Sequence, residues 1–292
     1  MKKQRRKFLN IALCILGVIT LLFGIKSIID FSESTSKSEE VAKTSTKSRD
    51  GIVGVKQPFP FYKNKKEVER NLLENAKNGI EDQFILLQKD RLPIAEQKLF
   101  ANNKDSKQYI LGYLSGKKAK KYTEGETVEL NRKYPYYIQW DRRWSYNKLG
   151  DVNIAIGGCG PATVSMAISG LLNDNSITPD KIAKIADEKG YFTDDGIKWS
   201  FFDYITKEFG LKSNPVSLNQ KSIDAVLEKN NSIITSVKAG KFTTVGHIVL
   251  IVGKDSEGKY IINDPNSYGR TIKKWSYDEL KTEIVSMWEI SK

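Results

Sequence analysis

The scarcest reactive side chains in this sequence are thiols and imidazole: 2 cysteines and 1 histidine among 292 residues. Cys14 lies in an apolar run near the amino terminus, where it reads as an apolar filler. Cys159 is the one thiol outside that run. A lone cysteine cannot form an intramolecular disulfide, and in a secreted domain an unpaired thiol is a liability unless it is used. Its surroundings, AIGGCGPATVSMAIS (155–169), point to use. Pro161 fits the first turn of a helix, where a missing N–H is harmless, and the glycines allow a tight approach to that turn. A cysteine at or just before a helix N-terminus meets the dipole and free N–H groups that favour the thiolate. A thiolate is the nucleophile that acyl transfer needs. Behind it, Ala162 to Leu172 is apolar nearly all round, so the expected helix is buried and holds the thiol rigidly.

A thiol nucleophile needs a base, and His247 in TTVGHIVLIVG is the one imidazole available. A base needs an orienter. The next expected strand ends in IINDPNS, joined to the first by the turn KDSEGK, so adjacent antiparallel strands would bring Asp264 beside His247. Asn263 is the neighbouring alternative; successive strand residues face opposite sides, so only one of the two should point at the ring.

GGCGPATVSMAI, GHIVLIVG and INDPNS, with YYIQWDRRW upstream, resemble the papain-like cysteine peptidases of the double-glycine leader (C-thirty-nine-like) group over roughly residues 130–285. The resemblance implies a papain-like α+β fold and a triad of Cys159 as nucleophile, His247 as general base and Asp264 as orienter. It further implies that Gln139, with the backbone N–H of Cys159, helps to form an oxyanion hole. This chain departs from the transporter-linked members in two ways. Gln139 lies twenty residues before Cys159 rather than a few, so the intervening segment must loop out. No GxxxxGK[ST] phosphate-binding loop is present, which argues against a leader-processing exporter.

The elements that must position these residues can be laid out along the chain. Residues 1–30 read as a basic tip, with five positive charges in MKKQRRK, and a transmembrane signal anchor. The apolar run 8–25 would span about 27 Å as a helix, and the basic flank should stay in the cytoplasm. A cleavable signal peptide is the rival reading, but no good cleavage site follows. Residues 31–60 form a Ser/Thr/Lys/Glu-rich linker, expected to be flexible. Residues 61–125 form a helical N-terminal region, with VERNLLENA, EDQFILLQ and SKQYILGYL as three short amphipathic helices. Residues 126–292 form the papain-like domain. Helices are expected at 160–172, 178–189, 199–209 and 221–229, the last capped near Asn219 or Ser222. Strands are expected at 232–237, 247–253 and 259–265 as antiparallel meanders. Helices followed by strands argue α+β.

The formal net charge of +12 admits attraction to anionic surfaces, but no basic–aromatic pattern suggests nucleic acid. Asp194 and Asp195, with Trp199, are expected to border the cleft; lacking histidine or further acids at ligand spacing, they suggest no metal, and no cofactor is expected. The expected function is a membrane-anchored, outward-facing thiol hydrolase acting on a peptide or cell-wall peptide, with the membrane engaged through residues 8–25. The rival readings are an acyltransferase using the same thiol and a non-catalytic papain-like binding module displayed at the cell wall; the aromatic entry Tyr136, Tyr137, Trp140 and Trp144 fits either an enzyme or a binder. The oligomeric state is left open.

Overall fold

The computed structural model describes residues 52, 54–116, 130 and 132–292. The expected membrane segment, the basic tip, most of the linker and residues 117–129 lie outside the described residues. Among the described residues no helix is long and apolar enough to cross a membrane.

The helical region contains α1 (Lys65–Asn75), α2 (Ile80–Leu87), α3 (Ile94–Asn102) and α4 (Lys107–Leu114). Asn64 opens α1 with a capping box, its side chain accepting from Glu67 N–H while the Glu67 carboxylate reaches back. The sequence led us to expect three helices; α3 is the one it hid. This helix buries Glu96 beside Phe100 and Ala101, so its inward face is not apolar. Glu96 is received there by Asn153 Nδ2 at 3.0 Å and by the Tyr109 hydroxyl. The described segment ahead of α1 lies against the body, with Ile52 buried, Val55 N–H donating to Asp105 and Tyr62 N–H donating to the Asn102 side chain.

The carboxy-terminal part begins with a short hairpin, β1 (Lys148–Leu149) and β2 (Val152–Asn153), and one turn of helix, α5 (Ile154–Gly157). Then comes α6 (Cys159–Leu172), buried along nearly its whole length as its small and apolar residues require. Gly170 is needed there, because a Cβ would lie 2.2 Å from the Tyr134 ring. Next are α7 (Pro179–Glu188), a hairpin of β3 (Phe192–Thr193) and β4 (Gly196–Ile197), and α8 (Ser200–Glu208). After them come β5 (Lys212–Pro215) and α9 (Gln220–Leu227), whose cap is Asn219 accepting from Ser222 N–H.

The sheet follows: β6 (Ser232–Val237), β7 (His247–Lys254) and β8 (Tyr260–Asn263), then two short helices, α10 (Tyr268–Ile272) and α11 (Tyr277–Lys281), and finally β9 (Ile284–Ser291). All pairings are antiparallel, in the order β5-β9-β6-β7-β8. The expected meander holds for β6, β7 and β8. The sequence reading missed β5 and β9, and β9 lies in the interior of the sheet.

The sheet divides two apolar layers. On one face Ile234, Ile248, Leu250 and Ile290 pack with Val164, Met166 and Ile168 of α6. On the other, Ile233, Val249 and Ile251 pack with Ile223 and Val226 of α9, Trp275 and Leu280. Both faces are covered, so the strands read as unbroken apolar runs; each fully buried aliphatic side chain contributes roughly 1.5–3 kcal/mol. The first layer continues without a break into the helical region through Val68, Ile85, Phe100 and Ile110.

Candidate active site

Cys159 is the first residue of α6 and is half-buried, opening into two cavities. At that position its N–H has no carbonyl one turn back within the helix to bond. Thr163, one turn on, donates its hydroxyl to the Ile248 carbonyl at 3.1 Å and ties α6 to the start of β7. That tie brings the thiol to His247, the first residue of β7 and 4% exposed. His247 Nε2 lies 2.9 Å from Asp264 Oδ1, which leaves Nδ1 for the thiol, and Cys159 and His247 line the same two cavities.

Asp264 follows directly on β8 and is fully buried. It is surrounded by donors: besides His247, the N–H of Asn266 donates to Oδ1 at 2.8 Å and Arg270 Nε donates to Oδ2. Its own N–H donates to Thr271 Oγ1, and its carbonyl accepts from the Tyr136 hydroxyl at 2.8 Å. Asn263 points elsewhere, its side chain engaging Arg132 and the Pro135 carbonyl. Strand alternation therefore brings Asp264, not Asn263, to the ring.

The electrostatics follow from this geometry. Burial raises the pKa of Asp264, but the charges of Arg270 and His247 and their hydrogen bonds prevail, so its carboxyl stays well below the usual carboxylate range. Burial lowers that of His247; Asp264 and the thiol outweigh it and bring the imidazole up to about 9. Burial raises that of Cys159; the hydrogen bond and charge of His247, with the N–H groups of Ile248 and Gly160, hold it below its ordinary value. Each shift favours a thiolate facing an imidazolium.

A family model described as the Peptidase_C39-like family matches residues 131–292. The chain belongs to the Peptidase_C39-like family. That membership supports cysteine peptidase activity. Solved structures are similar to parts of the chain. The peptidase domain of Streptococcus ComA, a bi-functional ABC transporter involved in a quorum-sensing pathway, is 17% identical, over 46% of this chain and 91% of its own, with a TM-score of 0.35. A double glycine motif protease from an AMS/PCAT transporter, solved in complex with the leader peptide, is 16% identical over 46% and 84%, with a TM-score of 0.32. No curated protein matches.

In this Peptidase_C39-like chain the segment between Gln139 and Cys159 does loop out, through β1, β2 and α5. Gln139 returns to the cleft wall because its own N–H donates to the Pro265 carbonyl at 2.7 Å. Its side-chain Nε2 donates to the Ala155 carbonyl at 2.7 Å and, at 3.4 Å, to that of Ile156. The amide nitrogen is thus directed at backbone carbonyls beside the thiol. Asp194, Asp195 and Trp199 border the wider cavity, a groove of 790 Å³ between the β3–β4 hairpin and the start of β7. Tyr136, Tyr137, Trp140 and Trp144 are all buried.

Sequence reasoning missed Arg270 and Tyr136 as a clamp on Asp264, and left open how the helical region meets the cleft. Arg270 in SYGRT carries no local signal; it reaches Asp264 through the turn into α10. The cleft residues Gln57, Lys98 and Asn102 lie outside the family match and resemble ordinary surface polar residues in sequence.

Proposed function

We propose that this cysteine peptidase cleaves peptide or isopeptide bonds through Cys159, His247 and Asp264. The observation that carries the reading is the hydrogen bond of His247 to the buried Asp264 carboxylate at the cavity wall that His247 shares with Cys159. The Cys159 thiolate attacks the substrate carbonyl carbon, and negative charge gathers on the carbonyl oxygen. The Cys159 N–H lies at the helix start to meet that charge; Gln139 Nε2 would join it by sharing hydrogens now directed at Ala155 and Ile156. As the C–N bond breaks, His247 gives its proton to the leaving amine, and a thioester remains. Water then attacks the thioester, His247 takes the water proton, and the acid product and the thiol are released. Asp264 keeps the ring oriented and stabilises its charged form throughout.

The basic tip and the apolar run at 8–25 support tethering at the cell membrane with the peptidase outside. The substrate there would be a peptide or a cell-wall peptide.

The test uses the purified full chain and a mixed peptide pool with product detection by mass spectrometry. Cys159→Ala should abolish cleavage, and Asp264→Asn should lower kcat by about 10³–10⁴-fold. Undiminished cleavage by Cys159→Ala would overturn the proposal. Asp264→Asn also leaves the Arg270 charge uncompensated, at about 3–5 kcal/mol, so a denaturant melt must accompany the kinetics; His247→Asn serves if that variant does not fold.

A further inference from the structure

Asp264 is held by its own turn. Besides facing His247, its carboxylate takes the Asn266 N–H on Oδ1 at 2.8 Å and Arg270 Nε on Oδ2, and its carbonyl accepts from the Ser267 N–H. Apart from the imidazole, both donors to the carboxylate among the described residues lie within six positions of it in sequence. Whatever fixes the segment Asp264–Arg270 therefore fixes the carboxylate. Three residues of the family-matched part anchor that segment. Tyr136 donates to the Asp264 carbonyl, the Gln139 N–H to that of Pro265, and Trp140 Nε1, at a long 3.3 Å, to that of Asn266.

The shorter bond to the Asn266 carbonyl comes from elsewhere. Asn103, in the helical region and outside the family-matched residues 131–292, donates Nδ2 to it at 2.6 Å. Asn103 is buried, and its backbone is fixed on both sides. Its N–H donates to the Leu99 carbonyl in α3, and its carbonyl accepts from the N–H and the hydroxyl of Ser106 just ahead of α4. The amide has one orientation, because a carbonyl acceptor demands its nitrogen. The same link between α3 and α4 holds a second arm. Asp105 accepts from the Val55 N–H at 3.1 Å, and the Val55 carbonyl oxygen lies 2.9 Å from where a Cβ on Gly269 would stand. The chain ahead of the family-matched part thus grips the Asp264–Arg270 segment twice, at Asn266 and at Gly269.

The path from Asn103 to the base is short. Nδ2 holds the Asn266 carbonyl, and the N–H of the same Asn266 holds the carboxylate oxygen that faces His247. We infer that Asn103 is a positioning residue for the triad, holding from outside the family-matched part the turn that aims the Asp264 carboxylate at His247. The inference deepens the peptidase reading and rests on it. The ionisable groups around the carboxylate are His247 and Arg270, with Tyr136 on the Asp264 carbonyl and Asp105 acting on Tyr136. Asn103 is uncharged, so its loss acts through geometry. A carboxylate that drifts from the ring stabilises the imidazolium less. The thiolate then forms at higher pH, and the imidazolium is lost below its value of about 9. A misplacement of about 1 Å, even from a distant substitution, can cost about 10²-fold in rate.

Two measurements on the full chain carrying Asn103→Ala test it. Gly269→Ala, which presses on the same segment from the Val55 side, takes its place if that variant does not fold. The first is the pH dependence of Cys159 labelling by iodoacetamide, which needs no substrate. The midpoint should move up by about half a unit to one unit. In a His247→Asn background, where Asp264 has no ring to orient, the same substitution should leave the labelling profile as it was. An unshifted midpoint overturns the inference, even where a denaturant melt shows lost stability. An equal shift with and without His247 also overturns it, since the thiol itself is then disturbed. The second is the kinetics of a peptide that the unsubstituted chain cleaves. There kcat should fall about tenfold with KM changed less than about twofold, and the alkaline limb should move below pH 9. Unchanged kcat, or a loss confined to KM, overturns the inference. Shifted labelling in a chain that cleaves no peptide sustains the positioning and sinks the peptidase reading instead.

Discussion

His247 stands between a carboxylate that wants it charged and a thiol that it helps to ionise. The thiolate–imidazolium pair holds the same number of protons as the neutral pair, so the charge separation by itself adds no pH dependence to stability. Reactivity is where pH shows. Thiolate is lost as pH falls through the lowered Cys159 value, and the proton needed by the leaving amine is lost as pH rises past the His247 value of about 9. Peptidase activity should therefore follow a bell whose alkaline limb lies near pH 9. In His247→Asn the burial of Cys159 remains while the ring's charge is gone and only the Ile248 and Gly160 N–H groups oppose it, so the thiol should titrate higher than in the unsubstituted chain. Iodoacetamide labelling at neutral pH should then slow by about tenfold or more, as the pH dependence of the labelling rate would reveal. These residues were legible because they are scarce: one imidazole and one thiol outside the apolar run leave no choice of pair. Asn263 or Asp264 was not legible, because a strand's facing is set by its neighbour's register. Arg270 was not legible either, since a buried arginine behind a carboxylate leaves no spacing rule in sequence.

At the level of elements, the start of α6 is fixed from outside by the β3–β4 hairpin. A Cβ on Gly160 would lie 2.6 Å from Ile197 Cγ2. Replacing a helical glycine by alanine ordinarily stabilises by roughly 0.5–1 kcal/mol. Here the clash, at about 1–3 kcal/mol, should win. Gly160→Ala should lower the denaturant midpoint, and adding Ile197→Ala should restore part of the loss; additive losses would refute the contact. The helices called from apolar spacing were legible where one face is apolar and the other wet. The sequence hid α3 because its buried face carries Glu96. It hid β9 because Ile284 and Met287 face one layer and Ile290 the other, with a bulge opposite at Ser236/Val237. Buried residues three apart do not read as a strand.

For the whole molecule, the helical region and the family-matched part share one apolar layer. The Tyr109 and Tyr146 rings stack across the boundary with centroids 5.1 Å apart, and the Tyr146 hydroxyl donates to the Tyr109 carbonyl. They should unfold together. All five tryptophans lie at or after residue 140, so fluorescence reports the family-matched part alone, while far-ultraviolet dichroism includes the helices of 65–114. Coincident transitions are expected from the two signals; separated ones would mean two independent bodies. The sequence suggested a region that packs on its neighbour, but not that the neighbour's cleft is finished by it, since shared walls are a property of three-dimensional contact. The place of β9 carries a further consequence. A ribosome delivers residues 284–291 after Cys159, His247 and Asp264, yet that stretch fills the gap between β5 and β6. A nascent chain therefore travels with a split sheet and a dormant sulfur. A stop codon after Glu283 should yield a product whose cysteine behaves like that of a small free thiol.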